Sequence, residues 1–137
     1  MRQLALIPMV LACAALGAGM AQAAPKGTPD EQLARALAGR AAGKPTDCIR
    51  LMDIDSSRII DRTAILYTMR NGTMYLNRPA TGADLLRDDQ TLVTNTHSDQ
   101  LCSIDTVKLV DMAARIPEGW VGLGPFVPYP KPPRAAR

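Results

Sequence analysis

Apolar and polar residues alternate through the middle of this chain, and that alternation predicts β-strands rather than helices. Residues 63–70 and 73–78 are β-prone runs separated by Asn71-Gly72. Asn-Gly between two such runs predicts a type I′ hairpin, because both central residues need positive φ. A two-residue loop then places Met69 opposite Met74 and Tyr67 opposite Leu76. Thr68 opposite Tyr75 and Leu66 opposite Asn77 fall on the other face. The first face is wholly apolar and reads as core.

The same reading extends both ways. Cys48-Ile49-Arg50-Leu51 predicts a first strand, and Ile59-Ile60 follow a polar stretch. Residues 79–84 read as a loop, and Leu85-Leu86 as a short helical turn or a buried plug. Residues 91–96 predict a strand, 97–100 a turn, and 101–110 the partner strand. Within that last run Cys102 and Ile104 share one parity and Val107 and Leu109 the other, so a bulge near Asp105-Thr106 is expected to re-aim the side chains. The expected fold is mainly β: a small antiparallel barrel or curled sheet of about five strands.

One helix precedes it. Thr28 can cap, Pro29 suits the first helical position, and Glu31 sits three residues past the cap. The helix should run to about residue 38, with Leu33 and Leu37 as a narrow apolar stripe on a peripheral element. Past Pro117 the composition changes. Five prolines fall between Pro125 and Pro133, with Phe126 and Tyr129 among them and Trp120 shortly before. The part up to Pro128 should pack through its aromatics, and residues 129–137 read as a Pro-rich, disordered tail.

The N-terminus changes the setting. Met1-Arg2-Gln3 carries one positive charge, residues 4–20 carry none, and Ala21-Gln22-Ala23 closes the stretch with small residues. This is the signal-peptide pattern, with cleavage after Ala23. A membrane-spanning helix is the poorer reading, since Pro8, Gly17 and Gly19 interrupt a short run. An alternative is a lipoprotein, because Val10-Leu11-Ala12-Cys13 loosely resembles a lipobox with Cys13 as the acylated residue. The expected organisation is therefore 1–23 leader, 24–44 linker and short helix, 45–128 β-rich domain, and 129–137 tail. The location is periplasmic or secreted, or membrane-anchored through Cys13, with no transmembrane segment in the mature chain.

Charge and cysteine content narrow the classes. The chain of 137 residues carries a formal charge of +3, and Arg2 leaves with the leader. So small an excess argues against a nucleic-acid partner. Cys48 and Cys102 remain in a compartment where disulfides persist. A bridge between them would close a loop of about 55 residues, worth about 4 kcal/mol in the chain-entropy account. Two reduced, buried thiols are the alternative. No C-x-x-C is present, which argues against redox catalysis.

Constellations that imitate sites read as ordinary structure. Asp53-x-Asp55-x-Ser57 starts like an EF-hand loop, but Arg58 stands where Gly is needed and Ala64 where a bidentate Glu is needed. It reads as a solvated loop. His97-Ser98-Asp99 holds three hydrolase residue types on one turn, where they cannot line up through space. His97 is the sole histidine, so no multi-histidine metal site is expected. Asp88-Asp89 reads as a turn, and Pro130-x-x-Pro133 as a spacer with the form of a polyproline ligand. No cofactor is implied.

Five segments, Cys48-Ile49, Tyr75-Leu76-Asn77-Arg78, Leu86-Arg87-Asp88-Asp89, residues 101–106 and residues 122–128, together resemble a family of small exported bacterial proteins known only as a domain of unknown function. The resemblance spans roughly residues 45–128 and implies no activity. The family often carries two further cysteines, near Gly82-Ala83 and near Val121, which are missing here. Their joint loss implies that Cys48 and Cys102 form the other bridge.

Asn77, Arg78, Arg87, Asp105 and Thr106 are the polar residues inside those motifs. They read either as internal Arg–Asp and backbone bonding or as a shared recognition patch. The functional expectation is a non-enzymatic envelope module that binds an envelope protein or glycan. A small enzyme using the Asp/Arg cluster is the alternative. It requires Arg87 and Asp105 to converge in an open cleft.

Overall fold

Thr28 opens the first element through its own side chain. The computed structural model describes residues 23–134. In it the Thr28 hydroxyl accepts from the Glu31 N–H, and the Glu31 carboxylate accepts from the Thr28 N–H at 2.9 Å. This reciprocal cap, with Pro29 at the first position, starts α1 (Pro29–Ala36). Leu37 caps the end, short of the expected residue 38. Among the described residues no helix is long and apolar enough to cross a membrane. The expected leader, up to Gln22, and the Cys13 alternative lie outside the described residues, as do the last three positions of the expected tail.

Among the described residues nine strands follow, in three antiparallel sheets rather than one five-stranded sheet. The first sheet orders β2 (Ile54–Ile60), β3 (Ala64–Met69), β4 (Met74–Asn77) and β9 (Phe126–Tyr129). A second orders β5 (Gln90–Thr94), β7 (Thr106–Asp111) and β8 (Pro117–Gly122). A two-stranded ribbon pairs β1 (Cys48–Arg50) with β6 (Gln100–Cys102). The sheets do not close into a barrel, because β2 and β5 belong to different sheets and each ends one.

The physical reasons for the extra strands are local. The Cys102 N–H donates to the Asp105 carboxylate at 2.7 Å, and the Asp105 N–H returns to the Cys102 carbonyl at 3.0 Å. This tight turn sends the chain from the ribbon into the second sheet. The parity break at Asp105-Thr106 is therefore a change of sheet, not a bulge, and Ile104 is left 90% exposed on the turn. β5 pairs with β7, leaving β6 to pair with β1. The stretch around Asp55 is edge strand β2, not a loop. β8 and β9 carry Pro117, Gly119 and Pro128, which hide strands from pattern reading. Pro128 is tolerated because β9 lies at a sheet edge. Tyr129 belongs to β9, opposite Met74, and not to the tail.

The β3–β4 hairpin differs from expectation by one residue. Thr68 faces Met74, Tyr67 faces Tyr75, and Leu66 faces Leu76. The loop has three residues: the Gly72 N–H donates to the Met69 carbonyl at 2.8 Å, and only Gly72 takes a positive φ, +85°. That is a type I turn closed by a left-handed glycine, the other loop that Asn-Gly favours. Asn71 supports it by accepting from the Thr73 N–H at 2.9 Å. In consequence Met74 and Leu76 leave the face of Met69 and Tyr67, and both faces of β3 are buried.

Each face has its own core. Ile65, Tyr67 and Met69 pack with Ile49, Leu86, Leu101, Val107, Leu109, Val121 and Phe126 between the two sheets and the ribbon. Leu66, Ile60 and Leu76 pack with Leu33 of α1 on the opposite face. The helix thus backs the four-stranded sheet. Leu86, fully buried after a single 3-10 turn (Ala83–Leu85), acts as the plug.

Tyr67 brings a testable cost into the inner core. Its hydroxyl is buried without a hydrogen-bond partner, and burial pushes its ionisation above the ordinary 10.0. Removing an unpaired buried hydroxyl relieves its desolvation penalty, so Tyr67→Phe should raise stability by about 1 kcal/mol in urea denaturation. The folded state holds this proton where the unfolded chain releases it. The parent protein should therefore lose stability as pH rises above about 10, and the variant should lose less. A variant less stable than the parent would show that the hydroxyl has a partner.

Candidate functional site

The five polar residues singled out in the sequence do not form one patch. Asn77 is fully buried in β4. Its Nδ2 donates to the Gly124 carbonyl at 2.6 Å, and its Oδ1 accepts from the Gly124 N–H at 3.2 Å. The amide side chain thus stands in for a strand neighbour and pins the loop that leads into β9. A Cβ on Gly124 would come within 2.4 Å of the Arg78 carbonyl oxygen, so this close approach requires glycine. Asp105 holds the turn out of β6, and its carbonyl accepts from the Leu123 N–H at 2.9 Å. Thr106 faces Gly122 across β7 and β8. Arg78 is exposed. These four gather around residues 122–124, mostly as internal bonding.

Arg87 lies elsewhere. Its guanidinium meets Glu118 at 2.7 Å, Asp89 at 3.1 Å and Asp111 at 3.7 Å. Glu118, then Asp89, holds it more firmly protonated than a free arginine. Gln90 joins the group by donating to the same Glu118 oxygen at 2.7 Å and accepting from the Arg87 N–H at 2.9 Å. Asp111 ends β7 and Thr106 begins it, a span of roughly 17 Å at strand rise. Arg87 and Asp105 therefore mark opposite ends of one strand. The convergence that a catalytic Asp/Arg cluster requires does not occur.

Other sequence features resolve into structure. Ser98 donates to the Gln100 carbonyl at 3.2 Å and the Asp99 carbonyl accepts from the Leu51 N–H at 2.9 Å, so the His97-Ser98-Asp99 segment is a turn tied to the ribbon. Asp88 takes the Lys26 ammonium as its ion pair. Among the described residues no group of three or more His, Cys, Asp or Glu is placed to hold a metal.

The ribbon builds a site that pattern reading missed. Cys48 and Cys102 face each other across β1 and β6 and are disulfide-bonded, with Cα atoms 4.0 Å apart. The Ser103 N–H donates to the Asp47 carbonyl at 2.7 Å. That makes the cysteines a non-hydrogen-bonded pair, the closer of the two antiparallel spacings. Beside the bridge lies a pocket of about 420 Å³. Its apolar lining is Ile49, Met69 and Tyr75. Arg50 from β1 and Arg70 and Asn71 from the hairpin loop stand around it, with Asp53. No ion pair among the described residues involves Arg50, Arg70 or Asp53. The Arg70 N–H donates to the Asp53 carbonyl at 2.9 Å, which fixes the hairpin tip against β2. Arg40 steadies the tip from behind, donating to the Gly72 and Tyr129 carbonyls at 2.8 and 3.0 Å. No sequence motif links Arg50 to Arg70. They line one pocket because Arg50 is three residues before Asp53, and the hairpin tip is bonded back to the Asp53 carbonyl.

Fold and pocket define a class: an antiparallel β domain of two larger sheets and a two-stranded ribbon, backed by one helix and clasped by a cross-strand disulfide. Compared with protein-family models, curated proteins and solved structures, the chain has no match.

Proposed function

We propose that this chain is an exported, non-enzymatic binding module of the bacterial envelope, whose site is the pocket beside the Cys48–Cys102 bridge. The observation that carries this reading is that Arg50 and Arg70, neither in an ion pair among the described residues, line one partly apolar pocket against a single carboxylate, Asp53. An unpaired guanidinium fork matches a carboxylate or phosphate, and Ile49, Met69 and Tyr75 suit a short apolar body attached to it. A disulfide suits an oxidising compartment, as does the leader-like N-terminus. Membership of the family of small exported proteins belongs to the same proposal.

The test is an NMR titration of the oxidised protein with hexanoate, and with hexylammonium as the charge-reversed control. Hexanoate should give saturable amide shifts at Arg50, Met69, Asn71 and Tyr75. Arg50→Gln or Arg70→Gln should weaken binding by about tenfold each. Equal shifts from both probes would show that the arginines do not select an anion.

A further inference from the structure

We infer that the exposed edge of β5 is a strand-addition site for an extended peptide supplied by another protein. The four edges of the two larger sheets are treated differently by the sequence. β9 is covered: Phe126 exchanges hydrogen bonds with Thr46, at 2.9 Å each way, and the Gly43 N–H donates to the Pro128 carbonyl. β8 is covered by the Thr81–Gly122 bridge and the 3-10 turn. β2 is blunted by a register shift between Ile54 and Ser56 and by the charges of Asp55 and Arg58. Covering, bulging and charging are the ways proteins stop edges from recruiting strands. β5 itself carries no bulge and no charge, and what stands beside it in the groove is the Lys26–Asp88 ion pair and Gln32 of α1. The β5 sequence, Gln-Thr-Leu-Val-Thr, is uncharged, free of proline and strongly β-prone.

The main chain of β5 points the right groups outward. The Met112 N–H donates to the Asp89 carbonyl, which fixes the ladder phase with β7. In that phase Thr91 and Val93 bond to Val110 and Lys108, while Leu92 and Thr94 turn their N–H and C=O groups to the open side. That side is a groove of about 520 Å³ between β5 and β2, lined by Thr91 and Leu92 on one flank and Arg58 and Ile59 on the other. It is the gap that keeps the two sheets from closing. An added strand would satisfy the backbone groups of β5 and lay one apolar side chain against Leu92 and Ile59. Arg58, in no ion pair among the described residues, favours an acidic residue on that strand. β5 has the length for about five peptide residues. This site is separate from the pocket beside the disulfide, so either can fail alone.

The experiment offers the oxidised protein a capped heptapeptide alternating Val or Thr with Glu, and the same peptide N-methylated at alternate residues. Saturable binding should protect the Leu92 and Thr94 amides from hydrogen exchange and shift residues 57–60 and 90–94. The N-methylated peptide should not bind. Thr94→Pro removes one outward donor without touching the β7 ladder and should abolish binding while the rest of the amide spectrum is retained. Arg58→Glu should weaken binding about fivefold, and a Lys-bearing peptide should restore it. Equal binding of the N-methylated peptide would overturn the inference, as would shifts outside the groove or no saturable binding. Protection of Leu92 and Thr94 that grows with protein concentration alone would also overturn it, since the occupant would then be a second copy.

Discussion

Breaking the Cys48–Cys102 bridge should lower stability by about 4 kcal/mol, on the chain-entropy account of the loop it closes. The two residues are 54 apart in sequence, and the loop holds β2 to β5. The native side of the balance points the same way. The ribbon has only three residues per strand, yet Ile49 and Leu101 face each other in it and both reach the inner core. Without the covalent link, six residues and a few main-chain bonds must hold two buried side chains in place. A small domain commonly has about 5–15 kcal/mol in total, so this loss is a large fraction. Thermal unfolding of Cys48→Ala/Cys102→Ala, which leaves no odd thiol in the domain, should show a midpoint lower by on the order of 15 °C. Reduction of the parent protein should reproduce the shift. Hexanoate binding should weaken in the reduced protein too, because Arg50 sits on the strand that the bridge anchors. Oxidised and reduced forms melting within about 3 °C of each other would mean that packing alone fixes the ribbon.

The features legible in the sequence are those whose physics is local. The Thr28/Glu31 cap needs four residues, and it starts α1 where expected. The runs around Asn71-Gly72 are strands because their side chains favour the pleat. The hairpin register was not legible, because Asn-Gly serves both a two-residue and a three-residue loop. The observed register puts Leu66, Leu76 and Met74 against Leu33 of α1 and its cap Leu37 and leaves Tyr67 and Tyr75 facing Phe126. A helix read as peripheral turns out to cover a second core. Neighbours in sequence were also the wrong partners: the turn at Asp105 moves the chain between sheets. The candidate site suffered from the same cause. Asn77, Asp105 and Thr106 were singled out because they sit in motifs, and the motifs mark the loop that Asn77 and Gly124 clamp. Arg50 and Arg70 carry no motif at all and line one pocket because the hairpin tip bonds back to Asp53.

Phe126→Ala should cost about 3–5 kcal/mol, the usual range for emptying a fully buried aromatic site. Phe126 is the only phenylalanine and is completely buried. Its ring lies 5.9 Å from that of Tyr67 and 6.5 Å from that of Tyr75, tilted against the first and edge-on to the second. Such aromatic pairs contribute about 0.5–1.5 kcal/mol beyond area burial, and alanine loses both. The position also matters for connectivity, since Phe126 faces Asn77 in β4 on one side and bonds to Thr46 on the other. A cavity here therefore loosens the joint between β9 and the lead-in to the ribbon. Urea denaturation of Phe126→Ala and Phe126→Leu should show the leucine variant losing markedly less, because it refills most of the volume. Coupling gives the sharper check. Residues in contact do not act additively, so Phe126→Ala combined with Tyr67→Phe should depart from the sum of the single effects. Additive behaviour, or an alanine variant that loses under about 1 kcal/mol, would place the centre of the inner core somewhere other than the Tyr67–Phe126–Tyr75 cluster.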